Sequence, residues 1–63
     1  MANATFEMYD DDAGEYRWRL EAPNYKIIAD SGEGYTTKDG CERAIDTVKS
    51  YIANATVVDK TKK

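Results

Sequence analysis

A chain of 63 residues with net charge −3, no histidine and one cysteine has room for a single domain, residues 1–63, and excludes several classes of function. No intrachain disulfide can form with Cys41 alone, and the commonest metal ligand and neutral-pH general base is missing. No apolar run approaches the ~20 residues of a membrane span, and the acidic balance disfavours nucleic acid and anionic membranes.

The chain is 41% apolar and rich in aromatics, with five Tyr, one Trp and one Phe, which suits a folded domain. Below roughly 70–80 residues such domains usually carry a disulfide, a metal or an oligomeric interface. With the first two disfavoured, self-association is the expected source of extra stability. The segment Met1-Ala2-Asn3-Ala4-Thr5 has neither a basic nor an apolar stretch, so it does not read as a signal peptide. With the lone cysteine, this points to a cytoplasmic protein. The Asn-Ala-Thr triplets at Asn3 and Asn54 fit the glycosylation acceptor pattern and, without a secretory signal, read as chance matches.

In chain order, Thr5-Phe6-Glu7-Met8-Tyr9 alternates with the period of a half-buried strand. Asp10-Asp11-Asp12-Ala13-Gly14 is a turn. Tyr16-Arg17-Trp18-Arg19-Leu20 alternates again, with Tyr16, Trp18 and Leu20 on one face and Arg17 and Arg19 on the other. The two runs read as a β-hairpin. Glu21-Ala22-Pro23-Asn24 turns the chain into a third strand, Lys26-Ile27-Ile28-Ala29-Asp30, whose adjacent isoleucines do not declare a face. Ser31-Gly32-Glu33-Gly34 ends the meander.

The period then changes to that of a helix. Cys41, Ala44, Ile45, Val48 and Ile52 form one face, and the helix is expected over about 38–52. Thr36 or Thr37 would cap it, Asp39 and Lys49 agree with its dipole, and Asn54 would stop it. Thr56-Val57-Val58 is strongly β-branched and reads as a fourth strand. Lys60 onward is a solvated tail, so order is expected over about 4–59. The fold class is α+β: a βββαβ unit, an antiparallel meander with one helix on one face.

The runs Phe6-Glu7-x-Tyr9, Gly14-x-Tyr16-Arg17-Trp18-Arg19-Leu20, Ile27-Ile28-Ala29-x-Ser31, Glu33-Gly34-Tyr35 with Lys38, and Ile45-x-x-Val48-Lys49 resemble the YegP-like family of small uncharacterised prokaryotic domains. The resemblance covers about residues 5–59. It implies two copies, tandem or separate, that share one continuous sheet with their C-terminal strands exchanged. For a single-copy chain it implies a homodimer. The family usually carries Asn-Gly in the second turn, where this chain has Asn24-Tyr25. The resemblance brings no catalytic residues and no cofactor.

Several local patterns have a sharper and a blander reading. Asp10, Asp12 and Glu21 match positions 1, 3 and 12 of a calcium loop, but Glu15 replaces its glycine and strands flank it, so a polar turn is preferred. Gly32-x-Gly34 before Lys38 could cradle an anion, although the Walker ending is absent and Glu33 would repel phosphate, so a strand-to-helix turn is preferred. Cys41 lies near a helix start, but no histidine can serve as its base, and its place on the apolar stripe makes it a core residue.

Arg17, Arg19, Glu7 and Tyr9 share the sheet face away from Trp18. They read first as a cross-strand charge ladder and second as a recognition surface. The candidate binding residues are therefore Tyr9, Arg17, Arg19, Glu33, Gly34, Tyr35 and Lys38. The expected function is a non-catalytic dimeric interaction module without metal or cofactor. The alternative is single-stranded nucleic-acid, nucleotide or anion binding by the same face and the Gly32–Gly34 loop.

Overall fold

The computed structural model describes residues 3–62. Three strands, β1 (Thr5–Asp10), β2 (Tyr16–Glu21) and β3 (Ile27–Asp30), form an antiparallel sheet in the order β1-β2-β3, and one helix, α1 (Lys38–Ile52), follows. The alternation fixes the β1–β2 register. Phe6 faces Leu20 and Met8 faces Trp18 on one side, while Glu7 faces Arg19 and Tyr9 faces Arg17 on the other.

Both hairpins close on the same three-residue plan. Asp11 N–H donates to the Glu15 carbonyl at 2.9 Å and Gly14 N–H to the Asp11 carbonyl at 3.1 Å. Ala22 N–H donates to the Lys26 carbonyl and Tyr25 N–H to the Ala22 carbonyl, both at 2.8 Å. This plan needs a left-handed residue in third place. Gly14 fills it in the first loop at φ +80°, and Tyr25 fills the equivalent place in the second at φ +69°. A tyrosine there carries the Cβ strain that glycine avoids.

The helix crosses the sheet mainly over β2. Thr37 is its N-cap, accepting from Gly40 N–H at 3.0 Å, and its stripe meets the middle of the hairpin. Trp18 (6% exposed), Leu20 and Cys41 are buried there, with Phe6, Tyr16, Tyr35, Ala44, Ile45 and Val48 packed around them. The Phe6 and Trp18 rings meet edge to face at 5.4 Å, a geometry worth about 0.5–1.5 kcal/mol beyond area burial. The Trp18 indole N–H is buried without a hydrogen-bond partner among the described residues.

One expectation needs correction, and two further segments belong beside it. Ile52, placed on the buried stripe by its spacing, is 53% exposed, because the last helical turn runs beyond the part of the sheet that could cover it. The adjacent isoleucines of β3 sit at a register shift: Leu20 faces Ala29 but Glu21 faces Ile27, so Ile28 is an extra residue, and both isoleucines are exposed. Thr56-Val57-Val58, expected as a strand exchanged with a second copy, pairs with no strand of its own chain. Residues 55–62 have no regular structure, and Val57 is 92% exposed. A lone extended tripeptide cannot satisfy its own amides, and it pairs with none of the three strands.

Candidate functional site

The face of the sheet opposite the helix is built on alternation in β1 and β2. It carries Glu7, Tyr9, Arg17 and Arg19, and the register brings Asp30 of β3 opposite Arg19. Arg19 Nε donates to Glu7 Oε1 at 2.7 Å, and the Arg19 guanidinium lies 4.8 Å from the centre of the Tyr9 ring. Arg17 Nε donates to Asp11 Oδ2 at 2.6 Å. In both pairs the carboxylate meets Nε, at the side of the guanidinium, so the forked end is not engaged by these two carboxylates. The hydrogen bonds from Arg17 and Arg19 to their carboxylates push both guanidinium groups further up from an already high pKa.

Asp11 was not among the candidates, yet it organises this end of the molecule. Its Oδ1 accepts from the amides of Ala13 and Glu15, both at 2.9 Å, while Oδ2 holds Arg17. The Arg17 hydrogen bond, then the Glu15 amide, lower its pKa below the ordinary carboxylate value. The signal was available, since an Asp opening an Asp-Ala-Gly turn is the residue type that bonds the amide two places on.

The remaining candidates lie elsewhere. Tyr35 continues the sheet past the end of β3: its N–H donates to the Tyr16 carbonyl at 2.7 Å and Tyr16 N–H returns at 2.8 Å. Its side chain packs on the core. Gly34 lies against Glu15, where an added Cβ would come within 2.8 Å of the Glu15 Cβ. Glu33 is exposed, and its carbonyl accepts from Ser31 Oγ at 2.9 Å. Gly32 has φ +72° and its N–H donates to Asp30 Oδ1 at 3.1 Å, so that amide is already engaged. Lys38 lines a shallow cleft of about 260 Å³ with Met8, Tyr9, Asp10 and Tyr16. The structure thus splits the candidates into an Arg-Tyr face (Tyr9, Arg17, Arg19) and a turn at the helix start (Glu33, Gly34, Tyr35, Lys38).

Cys41 is fully buried, and burial raises its thiol pKa, the opposite of what a nucleophile needs. Among the described residues, no three His, Cys, Asp or Glu side chains gather as a metal site would require, and no helix is long and apolar enough to cross a membrane.

Residues 11–59 match the family described as "Domain of unknown function (DUF1508)". The chain belongs to the DUF1508 family. This is the family of small uncharacterised prokaryotic proteins that the hairpin and Glu-Gly-Tyr segments resemble. A UPF0339 protein of Neisseria meningitidis serogroup B is 58% identical over 48 residues, 76% of this chain and 84% of the relative. Another, from Methanosarcina acetivorans, is 45% identical over 53 residues, 84% of this chain and 90% of the relative. The solution NMR structure of a Haloferax volcanii protein superposes with a TM-score of 0.85 at 44% identity, covering 94% of this chain and 98% of that one. That of protein ATU0232 from Agrobacterium tumefaciens gives 0.73 at 43% identity, covering 89% of each. The α+β fold of DUF1508 members is thus shared, and none of these relatives is named for an activity.

Proposed function

We propose that this protein is a small non-catalytic interaction module that works as a homodimer in the cytoplasm. Its C-terminal segment Thr56-Val57-Val58 is exchanged between copies to complete one continuous sheet, and its Arg-Tyr face is presented to a partner. The observation that carries this reading is the ratio of buried to exposed apolar side chains. Among the described residues only Trp18, Leu20 and Cys41 are buried, while Ile27, Ile28, Tyr51, Ile52, Val57 and Val58 are all at least half exposed. A chain this short gains little from its own core, and a second copy would cover what the first leaves bare. The absence of histidine and the buried, raised thiol speak against a nucleophile–base pair.

On the Arg-Tyr face the forked ends of Arg17 and Arg19 beside Tyr9 offer planar donors to a ligand. Glu7, Asp11, Glu21 and Asp30 surround them, which favours a protein partner over a phosphate backbone. Single-stranded nucleic acid or a nucleotide is the second reading, favoured only by those unengaged forks. Four measurements test the proposal. Light scattering should give a dimer at tens of micromolar, and the melting temperature should rise with concentration. Deleting residues 55–63 should unfold the chain or leave an unstable monomer; an intact chain that is monomeric at tens of micromolar, with stability unchanged by the deletion, would refute the dimer. Arg17→Gln with Arg19→Gln should leave a folded protein that no longer retains the partner recovered with the wild type. Retention unaffected by the double substitution would remove the face from the reading, and retention lost steeply with salt would favour the nucleic-acid alternative.

A further inference from the structure

We propose that the outer face of β2 is a track for an extended segment of a partner protein, one that carries two carboxylates two residues apart with a basic residue outside each. This rests on the reading of the Arg-Tyr face above and names the chemistry of its partner.

The two arginines are held in place with their forks free of the carboxylates that hold them. Glu7 meets Arg19, and Asp11 meets Arg17, at Nε, so neither carboxylate occupies the terminal nitrogens. The register sets Asp30 beside Arg19 on the β3 side, yet Oδ1 of Asp30 is given to Gly32 N–H at 3.1 Å. The Arg19 guanidinium is further steadied by the Tyr9 ring, 4.8 Å from its centre. An arginine fixed at Nε has less side-chain freedom to lose when its fork is engaged, which favours binding. A carboxylate matches such a fork with two parallel hydrogen bonds.

Spacing selects a pair of carboxylates. Arg17 and Arg19 are two steps apart on one strand, about 7 Å. An extended segment lying along β2 presents every second side chain to the sheet at the same repeat, so acids at its positions i and i+2 meet one fork each.

Charge selects what flanks the pair. In alternate positions the outer row of β2 reads Glu15, Arg17, Arg19, Glu21, with the Glu15 side chain lying against Gly34 just before the strand begins. A plain polyanion, acidic tail or phosphate backbone alike, meets a glutamate at each end of this row and is repelled there. A segment that is basic, acidic, acidic, basic at every second residue meets an opposite charge at all four places. Such alternation fixes register and suppresses wrong partners.

The test uses the full chain, isotope-labelled, and three end-capped peptides of identical composition at low salt. Lys-Thr-Glu-Thr-Glu-Thr-Lys has the spacing and order named here. Lys-Thr-Thr-Glu-Glu-Thr-Lys sets the acids side by side, and Glu-Thr-Lys-Thr-Lys-Thr-Glu reverses the charges. The first peptide should shift the Nε–H resonances of Arg17 and Arg19 saturably and bind at least about tenfold tighter than either of the others. Arg17→Lys and Arg19→Lys keep the charge and lose the fork; each should weaken that binding about tenfold and leave the melting temperature unchanged. Three peptides that bind alike, lysine variants that bind as well as the wild type, or an oligothymidylate that moves the same resonances at lower concentration than the first peptide would each overturn the assignment. If one of these occurs while Arg17→Gln with Arg19→Gln still abolishes retention of the partner, the chemistry named here is wrong and the recognition face stands. If that double substitution also leaves retention intact, the face itself falls.

Discussion

Replacing Gly34 by alanine tests whether the Glu-Gly-Tyr turn is a packing device. Gly34 does not have a left-handed φ, so alanine fits the backbone, and alone it would add about 0.4–1 kcal/mol by stiffening the unfolded chain. The obstacle is Glu15, whose Cβ would lie 2.8 Å from the new methyl, where carbon atoms in contact prefer about 3.5–4.0 Å. One side must retreat by roughly 1 Å. Neither side is free to do so. Glu15 is pinned by its N–H to Asp11 Oδ1 and by its carbonyl to Asp11 N–H, each at 2.9 Å, and Tyr35 is tied to Tyr16 by two backbone hydrogen bonds. Overpacking of this kind costs about 1–3 kcal/mol, a sizeable share of the stability of a domain this small. Urea unfolding at one fixed protein concentration should show that loss for Gly34→Ala, and little or none when the same change is made on a Glu15→Gly background. Glu15→Ala would be a poorer partner, because it keeps the offending Cβ. A Gly34→Ala protein as stable as the wild type, or the same loss on both backgrounds, would show that the contact does not govern this turn.

Trp18→Ala should cost about 3–5 kcal/mol and leave the chain largely unfolded at 25 °C by circular dichroism; native tryptophan fluorescence as red as that of the denatured chain would contradict the burial of Trp18. Tyr25→Gly should stabilise the fold by about 1 kcal/mol in the same urea assay, since it removes left-handed strain from an 82% exposed residue. Acid should act through Asp11. Its folded pKa lies below the ordinary value of 3.8, so its contribution is complete above that value and is lost as pH falls from there through the folded pKa. Asp11→Asn should accordingly flatten the acid limb of the stability curve; an unchanged limb would mean the Asp11 hub is not what acid breaks.

Much of this structure is legible in local pattern. Strict alternation places Trp18 and Leu20 inward and Arg17 and Arg19 outward, and the 3.6-residue period places Cys41 in the core. The N-cap is legible too, because Thr37 is the right residue type three places before Gly40. What was missed depends on partners distant in sequence or on chain geometry. The pairing of Tyr35 with Tyr16 forms only because Ser31 and Gly32 carry the chain around the end of β3. The extra residue at Ile28 is a matter of cross-strand register, which the composition of β3 cannot reveal. Residues 56–58 show the opposite limit: β-branched composition states that a segment would accept a strand partner, not where that partner lies. At the candidate site, alternation placed Arg17, Arg19 and Tyr9 together, but the partner of Arg17 came from the turn, outside any strand periodicity.

The complete burial of Cys41 makes it a built-in clock for the whole fold. Being the only thiol of the chain, it gives a single alkylation event per molecule, with no background to subtract. A reagent can reach it only when α1 lifts from β2, so the labelling rate counts openings of the helix–sheet seam. At low reagent concentration the rate reports how large a fraction of molecules is open. At saturating reagent it reports how often the seam opens, which separates equilibrium from kinetic resistance to unfolding in one untagged, unmutated protein.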